Sequence, residues 1–497
     1  MCPTQSGQMR MKKTFITFLF AIIASTGTIF AENVRVKIGD LYYVINTESK
    51  TAKVVYEKYF DSSNYYGLTS VTIPDEVVYE NDTYAVTSIY DGAFELCSTL
   101  TSITIGKNVT SFGIAVFRYT NLNSVIWNAK KCQDFNGSTT PFICNYYNFS
   151  EQITSLTFGN DVEYIPAYLC YQLKKITNLV IPDNVTVIGA YAFCNCEGLA
   201  SIKISEKLTD IKEYAFYACT SLTSVIIPNN VLHIEGCAFD NCRNLSAVTI
   251  PNSVTKIGYI AFCSTGLTSV VIPNSVTYLG HMAFSDCKKL TSVTISNNLT
   301  HIQHSVFAGC SSLSTITIPN SVTKIDECAF AGTGITSVVI PNSVTELGHM
   351  IFANCSKLAS VTMGDNITRI KDHMFAGCTS LTEIMIPKSV TSIETGAFLN
   401  CNHLNKVKCA ALLPPEMGTE VFGHVDCSKI PLYVPSGSIE AYSTTEQWKD
   451  FNPILALDID AVENVQGILD SSKIIKDGQL IISHDGHIYT VTGAEVK

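Results

Sequence analysis

Ten phenylalanines stand in one register: Phe193, Phe216, Phe239, Phe262, Phe284, Phe307, Phe330, Phe352, Phe375 and Phe398. The steps between them are 23 residues, shortened to 22 twice, and Phe94 and Phe117 form a further pair 23 apart. Self-similarity at a fixed period marks an array whose units pack on their neighbours, so the count of domains that 497 residues would otherwise suggest does not apply. The short steps have a local cause. In FCSTGL and FAGTGI one residue is missing between the Phe and the next aliphatic, and a Gly permits the tighter path.

After each Phe comes a segment like LTSVTIP. Counted from its first aliphatic, the frame starts at Leu68 and ends at Leu404, giving about fifteen coils. Residues three and five after the start are mostly Val or Ile and alternate with Ser or Thr, which reads as a short half-buried strand. Pro follows in many coils and ends the strand, because it cannot donate to a ladder. The return path, N-S-V-T-x-I and then x-x-x-A-F, reads as turn and irregular or short helical backbone with its Val, Ile, Ala and Phe turned inward. One coil cannot close a core. Stacked coils can, and the strand then recurs in phase to build one long parallel sheet.

The pattern LTSVTIPNSVTKIGYIAFxxC resembles the BspA-like branch of leucine-rich repeat proteins, found on the surface of Bacteroidetes and some protists. The resemblance covers roughly residues 68–408. The period suits it, since leucine-rich repeats run 20 to 29 residues, whereas ankyrin and tetratricopeptide repeats need about 33 or 34. A parallel β-helix is the minor rival. The fold expected is an α/β-type repeat solenoid with 22–23-residue coils, a parallel β-sheet on the concave side, and β-rich caps.

The remaining segments divide the chain as follows. Residues 1–31 read as a signal peptide: Arg10, Lys12 and Lys13 precede the apolar run TFITFLFAIIASTGTIF, with Ala31 offering the cleavage position. Met11 is the alternative start. Without this segment 30 basic residues face 43 acidic ones, a net charge of -13. Residues 32–67 read as an N-terminal β cap, a hairpin followed by a lead-in strand, and VVYENDTYAV (77–86) as a further hairpin. Residues 68–408 are the solenoid, with an irregular insertion at 128–152; 409–456 are the C-terminal cap, where Trp448 and Phe451 cover the last coil. Residues 457–497 are a linker and a short β-rich tail with two strands around its DG turns. The tail resembles terminal segments that some Bacteroidetes exported proteins use for secretion and surface attachment.

With 19 cysteines the chain invites a metal or disulfide reading. Cys97, Cys196, Cys219, Cys242, Cys287, Cys310, Cys355, Cys378 and Cys401 all fall three after the Phe column, and Thr265 and Thr333 fill the site in the shortened coils. A zinc site needs four converging ligands, whereas this arrangement offers one per coil in a line. The column reads as packing, since free Cys behaves as a small buried hydrophobe. Cys132, Cys144 and Cys170, outside the register, are where a disulfide would be sought. His281, His304 and His349 share a register with Tyr259 and Glu327, without a consistent acid to complete a metal site. No GxSxG, HExxH, P-loop or dinucleotide fingerprint occurs, so neither an enzyme nor a cofactor is expected. A chain 15% charged and net acidic also excludes a basic nucleic-acid surface.

What remains is surface. Positions two and four of each strand face outward: Ser224, Ile226, Thr249, Ser269, Val271, Ser292, Thr294, Thr315, Thr317, Ser337, Val339, Ser360 and Thr362 are the candidate binding residues. Trp127, Phe135, Phe142, Tyr146 and Tyr147 crowd the insertion, either folding it onto the solenoid or forming a recognition loop. The resemblance implies an exported surface protein binding an extracellular protein or glycan, in adhesion to host matrix or other cells, with outer-membrane attachment through the tail. The alternatives are a structural envelope scaffold and an accessory module for polysaccharide capture.

Overall fold

The computed structural model describes residues 33–61, 64–142 and 152–457, together with the backbone of Ser472–Lys476, Gln479–His484 and His487–Thr490. The expected signal peptide, Cys144, Tyr146 and Tyr147 lie outside the described residues.

The chain winds into a solenoid with a curved, mostly parallel sheet on its concave side. In the coil that begins at Leu245 the sheet strand is Ala247–Thr249, and it pairs in register with Ser224–Ile226 of the coil before. The alternation of β-branched and hydroxyl residues fixes that register, because a slip of one residue would turn every apolar side chain outward. One strand expected from the pattern is not regular. Thr315–Thr317 forms no ladder with either neighbouring coil, although Thr315 and Thr317 stay exposed and Ile318 stays buried.

The return path is more ordered than expected. After the Pro251 turn, Lys256–Ile257 forms a two-residue strand, and such pairs stack from Tyr164–Ile165 to Tyr278–Leu279 as a second parallel ladder of six strands. Shorter runs continue it from His301–Ile302 onward. The second residue of each pair is aliphatic and most are fully buried.

The third segment is a run of turns around the Phe. Backbone N–H groups of Ile260, Phe262 and Ser264 donate to the carbonyls of His281, Ala283 and Ser285 in the next coil, at 2.8, 2.8 and 2.9 Å. These bonds require a left-handed residue two before and two after the Phe, as at Ile260 and Ser264 (φ 57° and 54°) or Met350 and Asn354 (φ 56° and 58°). The Phe between them points into the core. From Phe193 to Phe422 successive rings lie nearly parallel, with centroids 5.2 to 5.9 Å apart. Offset stacking of buried aromatics adds to their area burial, and truncating one such ring costs about 3 to 5 kcal/mol.

At the N-terminal end β1 (Asn33–Ile38), β2 (Leu41–Asn46) and β3 (Thr51–Val55) form an antiparallel meander. The first concave-sheet strand is β4 (Ser70–Thr72), and β5 (Glu76–Tyr79) and β6 (Asp82–Ile89) form a hairpin. β6 pairs in parallel with β3 on one side and with Ser111–Phe112 on the other, which joins the meander to the return path of the next coil. At the other end Leu432–Val434 and Ile454–Ala456 extend the concave sheet. The short helix α1 (Ile439–Thr444) brings Tyr442 against Trp448, and Phe451 meets the ring of Phe422 edge-on at 5.1 Å. Trp448 is buried, its Nε1–H donating to the Pro415 carbonyl at 2.9 Å. The tail has three antiparallel strands where the sequence suggested two.

Candidate functional site

The concave sheet sorts its residues by parity. Val225, Val270 and Val338 are buried, while Ser224, Thr249, Ser269, Ser292, Thr294, Ser337 and Ser360 are exposed and Thr362 is half-buried. Register stacks them into two straight columns: Ser269 sits opposite Ser292 and Val271 opposite Thr294, and Ser337 opposite Ser360 and Val339 opposite Thr362. Apolar side chains interrupt the hydroxyls. Ile226 is 76% exposed and Val271 62%, and Val180 and Val339 are open as well. From Ser224 to Thr362 neither column holds a charged residue. Charge returns at the borders, where Lys203 faces Asp183 at 3.4 Å and Glu383 holds Lys406 and Lys408.

The cysteine column lies inside. Cys219, Cys242, Cys287, Cys310, Cys355 and Cys378 are fully buried beside the column phenylalanines, and each donates its S–H to the carbonyl of the Phe one coil earlier, at 3.1 or 3.2 Å. Thr265 and Thr333 use their hydroxyls on Phe262 and Phe330, both at 2.8 Å. A small side chain with one donor is what the column requires. All cysteines among the described residues are free thiols, Cys132 and Cys170 included. Burial pushes the thiols of Cys97, Cys132 and Cys401 up to about 12, so they stay protonated and poorly nucleophilic at neutral pH.

The insertion aromatics are also internal. Trp127 is buried and stacks on Phe112 at 5.3 Å, Phe135 meets Phe112 edge-on, and Phe142 stacks on Phe117 at 5.8 Å. Phe142 thus continues the column of Phe94 and Phe117, and Trp127, Phe135 and Phe142 are all buried.

Sequence reasoning missed the polar groups that meet across coils on the outer side. Asp210 lies 2.7 Å from His233 Nδ1 with Glu235 beside them, and His349 lies 3.2 Å from Asp372 with Glu394 beside them. Their ligand-type atoms come within 4.8 Å of one another, although no metal centre was expected. Lysines already claim the carboxylates: Lys256 is 3.0 Å from Glu235, and Lys371 is 3.0 Å from Glu394. Ion pairing between coils accounts for both groups. The signal that would have found them is opposite charge at a separation of one period. A Ser–His–acid sequence also forms, with Ser305 Oγ 3.2 Å from His304 and Glu327 3.9 Å from its other nitrogen. Ser305 is buried, which denies a substrate carbonyl the approach that acyl transfer needs.

No helix among the described residues is long and apolar enough to cross a membrane. The model of the BspA type leucine rich repeat region matches residues 47–139 and, in overlapping stretches, 163–291, 209–334, 279–405 and 326–439. No curated protein sequence matches the chain. Among solved structures, a leucine-rich repeat protein from Bacteroides ovatus is 25% identical, with 85% of this chain and 99% of that one covered and a TM-score of 0.55. A leucine rich cell surface protein from Faecalibacterium prausnitzii is 25% identical over 87% of this chain and 97% of its own, with a TM-score of 0.41. The pneumococcal vaccine antigen PcpA is 15% identical over 86% and 100%, with a TM-score of 0.45. Matched by the repeat model over more than half its length, the chain belongs to the BspA-type leucine-rich repeat family.

Proposed function

We propose that this is a non-enzymatic protein of the cell exterior that binds a broad protein or glycan partner across the concave sheet, in adhesion to host matrix or other cells. The observation that carries the reading is the uncharged double column from Ser224 to Thr362, in which Ile226, Val271 and Val339 stand exposed among hydroxyls. It spans seven coils, about 30 Å at the usual strand spacing. Apolar side chains left open among small hydrogen-bonding groups suit a large surface more than a small ligand, and concave solenoid faces commonly serve that role. The basic and apolar leader supports export. The tail from 457 onward serves as the attachment segment in this reading.

The test is direct binding of the chain from residue 32 onward to arrays of matrix proteins and of glycans. Capture of one partner, lost when Ile226 and Val271 are both replaced by Glu, supports the reading. Silence on both arrays overturns adhesion to those ligand classes and favours the envelope scaffold.

A further inference from the structure

The open face of the N-terminal meander carries a cavity that the repeats do not explain. Register places Arg35 opposite Val44, Val44 opposite Lys53, and Lys53 opposite Ser88. The backbones of the two cations therefore stand two strands apart, about 9 to 10 Å, with Val44 between them. The cavity has a volume of about 450 Å³, and its remaining polar lining is neutral, including Asn33, Asn46, Thr51 and Thr87. The space is half open to solvent, a groove along the strands.

The charge here runs against the rest of the molecule. The chain holds 43 acidic and 33 basic residues, yet no acid lines the cavity. Lys50, Lys107, Lys130, Lys174 and Lys203 each meet a carboxylate. Lys53, like Lys37, Lys175 and Lys289, meets no carboxylate among the described residues; its ammonium rests over the Tyr90 ring, 5.4 Å from the centroid. Arg35 is held in place, Nη2 donating to the carbonyls of Tyr56 and Glu57 at 2.7 and 3.0 Å and the guanidinium lying over the Tyr42 and Tyr56 rings. Both Nη2 hydrogens are thereby taken by carbonyls, which leaves Nη1 and Nε as single donors beside a fixed positive charge.

The second feature is aromatic. Tyr56 and Tyr90 both line the cavity, 6.2 Å apart, and Tyr56 continues outward to Tyr59 and Phe60, which are 63% and 61% exposed. Rings at the edge of a cavity full of amides and hydroxyls suit a ligand with a C–H face and many hydroxyl groups. A bare anion would use the cations and leave the rings idle. A nucleic-acid strand would bring a continuous row of phosphates against a chain of net charge -10, with only this local patch to receive it.

We propose that this cavity binds an anionic saccharide, a short carboxylated or sulfated sugar whose acidic group sits between Arg35 and Lys53 and whose ring lies against Tyr56 and Tyr90. The site is on the meander, away from the concave columns, and does not depend on what they bind.

The experiment is titration calorimetry of the chain from residue 32 onward with five probes at fixed salt: a galacturonate tetrasaccharide, a heparin tetrasaccharide, maltotetraose, sodium sulfate and a short oligothymidylate. The expected result is that at least one acidic tetrasaccharide binds at least about tenfold more tightly than maltotetraose and sulfate. Binding of galacturonate shows that a carboxylate suffices, and binding of heparin alone shows that sulfate is needed. Lys53→Gln should weaken that binding about tenfold, and Tyr90→Ala should weaken it while leaving the sulfate response unchanged. Arg35 supports the backbone, so Lys53→Gln, whose side chain rests only on a ring, is the variant that tests the site with the fold intact. Equal binding of maltotetraose or sulfate, tighter binding of oligothymidylate, no saccharide binding, or an unchanged Lys53→Gln would each overturn the proposal.

Discussion

The thiol of Cys310 donates to the backbone carbonyl of Phe284, one coil earlier, at 3.1 Å. The same bond recurs at Cys219, Cys242, Cys287, Cys355 and Cys378, tying those coils to the ones before them, whereas Thr265 and Thr333 bond within their own coils. Position, burial and hydrogen bonding all make it a packing element.

Cys310→Ala should therefore lower stability by on the order of 1 to 2 kcal/mol through cavity formation and the lost donor, with partner binding unchanged. In the native protein Cys310 should resist iodoacetamide and become alkylated only on unfolding, as mass spectrometry would reveal. Alkylation at the rate of an exposed thiol would contradict the packing role.

Asp240 gives a pH dependence. Burial pushes its carboxyl up to about 6, although Asn241 donates to it at 3.2 Å. The folded state therefore holds this proton more tightly than the unfolded chain, whose carboxyl titrates near 4. Between those values stability falls as pH rises, and above about 6 the ionised group costs up to about 3 kcal/mol. Asp240→Asn should raise the melting temperature at pH 7.5 and lose that advantage near pH 4. A variant less stable than the parent at pH 7.5 would refute this.

Ile260 is a β-branched residue at φ 57°, half-buried, with its N–H bonded to His281. A left-handed conformation costs a side chain with a β-carbon about 1 to 2 kcal/mol, and Asn tolerates it better. Ile260→Asn should gain about 0.5 to 1 kcal/mol in thermal denaturation. The other left-handed position, two after the Phe, already uses Asn at 195, 241, 354 and 400.

Ile226→Glu with Val271→Glu should abolish capture of the concave-face partner while changing stability by no more than about 0.5 kcal/mol per site, since both side chains are mostly in solvent. Loss of capture together with large destabilisation would mean that these residues hold the sheet.

Deleting residues 457–497 should release the protein from the cell surface into the medium, measured by fractionation. Unchanged surface display would remove the tail from the attachment role.

The Phe and Cys columns and the in-and-out alternation of Ser224, Val225 and Ile226 were legible because one register repeats them until chance is excluded. The second ladder was not, because Lys256–Ile257 is too short to show a period of its own. The left-handed pair around each Phe left a trace in the Asn and Gly two residues after it, but the partner position holds Tyr, Cys, Ile, Met and His, which hides it. The irregular Thr315–Thr317 has the same pattern as its neighbours and nothing in its residues marks it. The Asp210–His233 pair needs two coils to be seen together. The cavity is harder still: Arg35, Lys53 and Ser88 meet only through a strand order that no repeat announces.

Phe451 meets the last ring of the stack, Phe422, edge-on where every internal ring meets the next face to face. A bare Phe422 would present the same apolar face as any coil within the molecule. Phe451 covers that face together with Trp448 and Tyr442, which pack on one another and are buried. The cap thereby sets a finite length on a structure whose repeating unit has none.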